Sequence, residues 1–438
     1  MKVVDVTEFY SERGGGVRSH LSHKSQVSCQ LGVHHVVVAP GPRDANIDVT
    51  GSFGANQATH SIPHKSLSAA ETAAADAEGE EEAQKTGRPA EERAEEKKKG
   101  SARLLRFAGP ALPYDPTYHL MWRLDKIRRR LREERPDVLG IQSPYAAAAV
   151  ALSVPRADFG VRVFTWHSDF IDTYLRVMLE RHAPPALASV ALEPLWAMVR
   201  TIARGCDATF VASRWQKEKL VGHGVPRVEQ LPFGIERSLF SPARRDERTR
   251  AELLGEGRSA YKLVVGVGRF AVEKRWDVVL DAFLRARESE RAVLVLYGDG
   301  PERERMRARV AGRDDVKFMG FERDRAKLAT ALASADALLH GCPYETFGLS
   351  IAEAMSAGLP AVVPDEGGAA EMVEGESGEH YASLDVHGCA RALVRLLRRD
   401  PASLRKGALD AAARVPDVGE QFARMFDAYA RLLGERRP

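Results

Sequence analysis

Paired cysteines are missing: Cys29, Cys206, Cys342 and Cys389 are scattered through 438 residues with no C-x-x-C. That argues against a zinc site and against a disulfide framework. No Asp-x-Asp occurs either, so a diphosphate bridged by a metal is not expected and no obligatory metal or other cofactor is assigned. No stretch reaches the roughly 18 to 20 apolar residues of a spanning helix, and MKVVDVTEF at the start has no charged segment followed by a long apolar run. The expectation is a chain neither exported by a signal peptide nor integral to a membrane, in a reduced cytoplasmic setting. An excess of charge is also lacking: 64 Lys and Arg stand against 61 Asp and Glu, net +3, too little to argue for nucleic acid.

What is present is an ordinary globular composition, 44% hydrophobic and 29% charged, over a length that suits two or three domains. Residues 3–6 read as a short apolar strand, followed by a turn with Gly14, Gly15 and Gly16 and then helical spacing over 17–31. Strand, glycine turn and helix form a geometry in which a phosphate can approach the backbone, although glycine turns also serve plain packing. Residues 35–38 read as a second strand. Residues 69–100 are almost all Ala, Glu, Lys and Arg. Such a segment cannot bury enough surface to offset its ordering entropy and reads as a solvated insertion without a role in chemistry. The spacing over 118–135 predicts an amphipathic helix with a basic outer face, normally just solvated, with attraction to an anionic membrane surface as the minority reading. Strands over 103–107, 138–142, 162–166, 208–212 and 228–231 complete a first domain, residues 1–232. His167 follows one of them, where open α/β sheets place ligands; the bland alternative is a satisfied core histidine.

Residues 232–261 read as a linker with a short helix. Strands over 263–266, 292–297, 316–319, 337–339 and 361–363 then open a second alternating series, residues 233–415. Two such series imply an α/β protein of two doubly wound domains facing a cleft. The segment 341–360, GCPYETFGLSIAEAMSAGLP, carries Glu345 on a loop and Glu353 about one turn inside a short helix. The amides of Phe347, Gly348 and Leu349 at the start of that helix would seat a diphosphate, while the carboxylates accept bonds from hydroxyls at its ends. After the strand at 263–266, Gly268 precedes Arg269, and Lys274 lies five residues further on. Two fixed cations there suit the charge that builds on a departing diphosphate, at roughly 1.5 to 3 kcal/mol per charge-assisted bond. A merely solvated Arg/Lys pair is the alternative.

Taken together, Glu345…Glu353, the Gly268-Arg269-x4-Lys274 loop, GDGP at 298–301, the glycine turn at 14–16 and His167 resemble the retaining glycosyltransferases of family 4 (group 1), of GT-B fold, in the family's own order. The resemblance covers most of the chain outside the insertion. It implies two Rossmann-like domains with a C-terminal helix, residues 416–438, crossing back to the first. It implies a nucleoside-diphosphate sugar as donor and a sugar or glycolipid as acceptor. By the same resemblance, Arg269 and Lys274 hold the diphosphate, Glu353 the ribose and Glu345 the donor sugar. His167 stands near the reacting centre, and Gly15, Gly16, Gly268 and Gly298 line the approach. Hexosyl transfer with retention follows as the expected reaction, mannose or glucose as the sugar, and the inner membrane face as a place of peripheral contact. Two alternatives stay open. One is a nucleotide-sugar sensor on the same fold. The other is a nucleotide-dependent oxidoreductase or epimerase, disfavoured because no G-x-G-x-x-G follows the first strand.

Overall fold

The structure is a computed structural model that describes residues 1–11, 16–50, 99–113, 115–180 and 182–436. Its first ten strands are β1 (Lys2–Val6), β2 (His34–Gly41), β3 (Ala45–Asp48), β4 (Ser101–Ala108), β5 (Ala111–Leu112), β6 (Asp115–His119), β7 (Val138–Ile141), β8 (Val161–Thr165), β9 (Ala208–Val211) and β10 (Val228–Gln230). Eight of them form one sheet in the order β10-β9-β8-β7-β1-β2-β4-β3, and β5 and β6 form an antiparallel ribbon. β1 pairs parallel with β2 and with β7, and α1 (Gly16–Gln30) makes the crossover that parallel neighbours require. Covered on both faces, β2, β7 and β8 are nearly continuous runs of buried residues.

The second sheet comprises β11 (Lys262–Val267), β12 (Ala292–Tyr297), β13 (Val316–Gly320), β14 (Ala337–Leu339), β15 (Ala361–Pro364) and β16 (Gly378–Tyr381), ordered β13-β12-β11-β14-β15-β16 and parallel throughout. The helices used below are α2 (Pro185–Arg204), α3 (Trp276–Ala286), α4 (Arg325–Ala333), α5 (Leu349–Ser356) and α6 (Val418–Arg436). The strand order reverses between β11 and β14. At such a switch point neighbouring loops diverge to opposite faces and leave a crevice at the carboxyl ends of the strands.

By packing, the described chain divides into one unit of residues 1–165, 202–209 and 422–438 and another of 166–201 and 210–421. Residues 166–201 and 210–232, read from the sequence with the first domain, are therefore counted with the second unit. From Phe422 onward α6 belongs to the first unit, where it buries Phe422, Met425, Phe426 and Leu432 and joins a polar centre through Tyr429. Asp5, on β1, is fully buried and accepts from Lys24 Nζ at 2.7 Å, His35 Nε2 at 2.8 Å and Gln142 Nε2 at 2.7 Å. Lys24 in turn donates to the Tyr429 hydroxyl of α6 at 2.9 Å. A buried carboxylate is costly unless its lone pairs are filled. Burial would push Asp5 up, but Lys24 and His35 outweigh it and hold the carboxyl well below the usual range.

Three expectations change. The helix over 118–135 is limited to Leu124–Glu134, and the residues before it are extended as β6. Pro116 disfavours α geometry at the residue before it, and Thr117 and Tyr118 suit a strand. Of the apolar residues that the spacing puts on the face of that helix, Leu120 is largely exposed, while Met121, Ile127 and Leu131 are buried. β3, β5, β6 and β16 lie outside the sequence reading. Finally, the 186–204 part of α2 has the length and apolar composition of a membrane span, against the sequence expectation of none. It buries Leu192, Trp196 and Val199 and carries Glu193 and Arg200, joined at 2.5 Å. Gly15 and almost all of the 69–100 insertion lie outside the described residues.

Candidate active site

β11 and β14 are neighbours, so the loops that follow them start at adjacent strand ends, on the two sides of the switch point. Gly341 makes the approach close: a Cβ there would lie 2.7 Å from the Arg275 carbonyl oxygen and 2.8 Å from that of Lys274. The result is that Lys274 Nζ bonds Glu345 Oε1, and His340 Nε2 stands 3.4 Å from the same oxygen. Their side chains are 23% and 15% exposed for Lys274 and Glu345, so the pair is sheltered but not sealed. Burial would raise the Glu345 carboxyl, yet Lys274 and His340 hold it well below its ordinary range. Burial would likewise lower Lys274, and Glu345 raises it above the usual value. Arg269 is exposed, and its guanidinium makes no hydrogen bond or ion pair with the described residues; its carbonyl accepts from Trp276 Nε1 at 2.9 Å.

The Gly268–Arg269 loop is clamped from the other side by the turn after β12. Gly268 N donates to Tyr297 O at 3.0 Å and Phe270 N to Asp299 O at 2.9 Å. A Cβ on Gly298 would lie 1.9 Å from the Gly268 oxygen. Gly298 thus has a packing reason to be glycine, independent of any ligand.

Gly348 (φ +95°) caps α5, whose first bonds are Ile351 N and Ala352 N to the Gly348 carbonyl. Among the described residues the amides of Gly348, Leu349 and Ser350 find no backbone acceptor, as at any helix start. Phe347 is buried in the core beneath and meets Phe233 edge-on at 5.6 Å. Phe233 stacks on His167 at 5.8 Å and 14°, and Thr346 Oγ1 donates to the His167 carbonyl at 3.1 Å. His167 is thereby brought to the loop that carries Glu345. Glu353 Oε1 accepts from Arg325 of α4 at 2.9 Å, and Arg325 also reaches Glu236 at 2.8 Å. Burial raises the Glu353 carboxyl above its ordinary value despite Arg325.

The two carboxylates therefore hold different cations, Glu345 with Lys274 and Glu353 with Arg325. Among the described residues no hydrogen bond reaches the second oxygen of either carboxylate. Arg269, Lys274 and the start of α5 supply positive potential for an anion. Gly16 opens α1 in the other unit. Sequence reasoning missed His340, Arg325, Glu236 and Thr346. His340 could have been found, as a histidine at the end of a buried strand five residues before Glu345. Arg325 lies among several like charges and had no such mark. Reading cysteine spacing alone also missed that the ligand atoms of His340, Cys342 and Glu345 all lie within 4.8 Å of one another.

Comparison with known proteins gives the family and the fold. Residues 261–399 match the family described as "Glycosyl transferases group 1", and residues 83–239 match "Glycosyltransferase Family 4". The chain is 30% identical over 289 residues to a GDP-mannose-dependent alpha-mannosyltransferase of Mycobacterium tuberculosis, covering 65% of this chain and 70% of that one. It is 28% identical over 270 residues to sulfoquinovosyl transferase SQD2 of Arabidopsis thaliana, covering 60% of this chain and half (50%) of the plant protein. In fold it is similar to the sucrose-phosphate synthase of Thermosynechococcus elongatus, with a TM-score of 0.70, 18% identity and 99% of both chains covered.

Proposed function

Because the chain belongs to the family 4, group 1 glycosyltransferases of GT-B fold, we propose that it moves a hexose, mannose or glucose, from a nucleoside-diphosphate sugar to a sugar or lipid-linked acceptor with retention at the anomeric carbon. The observation that carries this reading is the convergence at one switch point of Arg269, Lys274, the open start of α5 and two carboxylates with separate counter-ions. The mannosyltransferase among the relatives makes GDP-mannose the first donor to try.

In the reaction the bond between the anomeric carbon and the diphosphate oxygen breaks while the acceptor oxygen bonds to the same carbon. The acceptor proton passes to the departing diphosphate. Charge therefore accumulates on the phosphate oxygens, which Arg269 and Lys274 would neutralise through charge-assisted bonds, with no metal needed for that step. Before the donor arrives Lys274 is engaged by Glu345. Binding would exchange that partner for the diphosphate and free Glu345 for the sugar hydroxyls, and Glu353 would take the ribose. Peripheral attachment at the inner membrane face, through the basic side of Leu124–Glu134, accompanies a lipid-linked acceptor.

A thermal-shift screen of GDP, UDP and ADP identifies the base, since a ligand of the folded state stabilises it by RT ln(1 + [L]/Kd). Nucleoside-diphosphate release is then measured for Lys274→Ala and Glu353→Gln, with the anomeric configuration of the product read by NMR. Near wild-type turnover in both variants overturns the assignment, and an inverted product overturns retention.

A further inference from the structure

Glu345 has neighbours that its part in sugar transfer does not require. His340 and Cys342 occupy alternate positions just beyond β14, so both side chains turn to the same side as the Glu345 loop, and both are nearly fully buried. Their ligand atoms and the carboxylate oxygen lie within 4.8 Å of one another. His340 Nε2 makes no hydrogen bond shorter than its 3.4 Å approach to Glu345, although it is 94% buried. An imidazole nitrogen, a thiol sulfur and a carboxylate oxygen thus converge on a point now served by one cation, the Lys274 ammonium.

We propose that His340, Cys342 and Glu345 form a binding site for a borderline-soft divalent cation, zinc by preference, in which the metal takes the place of Lys274 as the counter-ion of Glu345. The donor set decides the class of metal. Nitrogen, thiolate and carboxylate suit zinc, whereas magnesium and calcium take oxygen alone. Three protein ligands leave a fourth tetrahedral position for water. Ligand bonds of about 2.0–2.3 Å place tetrahedral donors roughly 3.5 Å apart, so the three groups need to draw in by about an ångström. Charge balances: the metal binds one carboxylate and one thiolate, the Cys342 proton leaves to solvent, and Lys274 withdraws as an ammonium. A metal so placed occupies Glu345, keeps that carboxylate from the sugar hydroxyls and inhibits transfer. That consequence rests on the transferase reading, whereas the binding does not.

Cobalt(II) is the probe, because thiolate coordination gives a near-ultraviolet charge-transfer band. The full-length protein titrated with cobalt should develop this band to saturation at one equivalent and lose it on addition of zinc. The band should be absent in Cys342→Ser and retained in Cys389→Ser, and His340→Gln should weaken zinc at least tenfold. Lys274→Met, which removes the competing ammonium, should tighten zinc about tenfold, a gain that misfolding cannot produce. No thiolate band in the wild type, or a band that survives Cys342→Ser, overturns the proposal. None of these measurements involves sugar transfer, so failure of the metal site and failure of the transferase reading are separately visible.

Discussion

Replacing Lys274 by methionine tests whether the pairing with Glu345 is an energetic fact as well as a geometric one. The substitution keeps the length of the side chain and removes its charge, leaving Glu345 with His340 alone. Removing one partner of a fully buried ion pair costs about 3–5 kcal/mol. The partial exposure of both side chains lets water make up some of that, and about 2–3 kcal/mol is expected near neutral pH. On a unit of roughly 250 residues this lowers Tm by about 5–8 °C. The pH dependence gives the sharper test. In the wild type the folded Glu345 carboxyl lies below its ordinary value of 4.5, so its stabilisation is complete above that pH and is lost as pH falls towards the folded value. In Lys274→Met burial is no longer outweighed, the folded value rises, and acid now favours folding. The gap in Tm between the two proteins should therefore be widest at about pH 6–8 and narrow steadily as pH falls below 4.5 towards the folded value. Calorimetric melts across that range measure it. Adding Glu345→Gln to Lys274→Met should restore most of the loss, since no uncompensated charge remains. A gap of equal size at both ends of the range, or a double variant as unstable as the sum of the singles, refutes the reasoning.

Other outcomes follow from the same geometry. Arg325→Met leaves Glu353 and Glu236 without their shared counter-ion and should weaken nucleoside diphosphate binding about tenfold by calorimetry, some 1.4 kcal/mol; unchanged affinity removes Glu353 from the ribose. Gly298→Ala puts a methyl 1.9 Å from the Gly268 oxygen, which must shift the Arg269 loop. The expected loss is about 1–3 kcal/mol of stability together with diphosphate affinity, and an unshifted melt contradicts it. Lys24→Met strands Asp5 in a site with no solvent and should cost about 3–5 kcal/mol, with α6 opened to limited proteolysis. Joining it with Asp5→Asn should recover part of that stability, and no recovery would show that the charge is not the cause.

What could be read from the sequence was whatever is local. Apolar runs such as 263–266 and 292–297 declare buried parallel strands because nothing else tolerates such residues on both faces. Gly348 and the residues after it declare the start of α5, which fixes Glu345 on the loop and Glu353 inside the helix. What could not be read depends on partners brought together by the sheet. His340 and Cys342 matter through Glu345 and Lys274, and Lys274 lies 71 positions from Glu345. Arg325 acquires its place only once α4 lies beside α5. β6 escaped because alternating Leu and Arg further on suggested one long helix, when Pro116 and Thr117 set the local geometry. Asp5 and His35 looked like ordinary strand residues until Lys24 and Tyr429 supplied their counterparts.

That last network bears on the order in which the protein can be made. Tyr429 reaches Lys24 across 405 positions, so as the chain leaves the ribosome β1 and α1 emerge long before the hydroxyl that completes their polar centre. Until α6 has been synthesised and docked, the ammonium of Lys24 lacks one acceptor and the first unit lacks part of its cover. The first unit therefore takes its polar centre from segments made far apart in time, and completes it only when α6 docks. Any truncation ahead of Tyr429 would strand it at that step, with the sequence of the second unit intact.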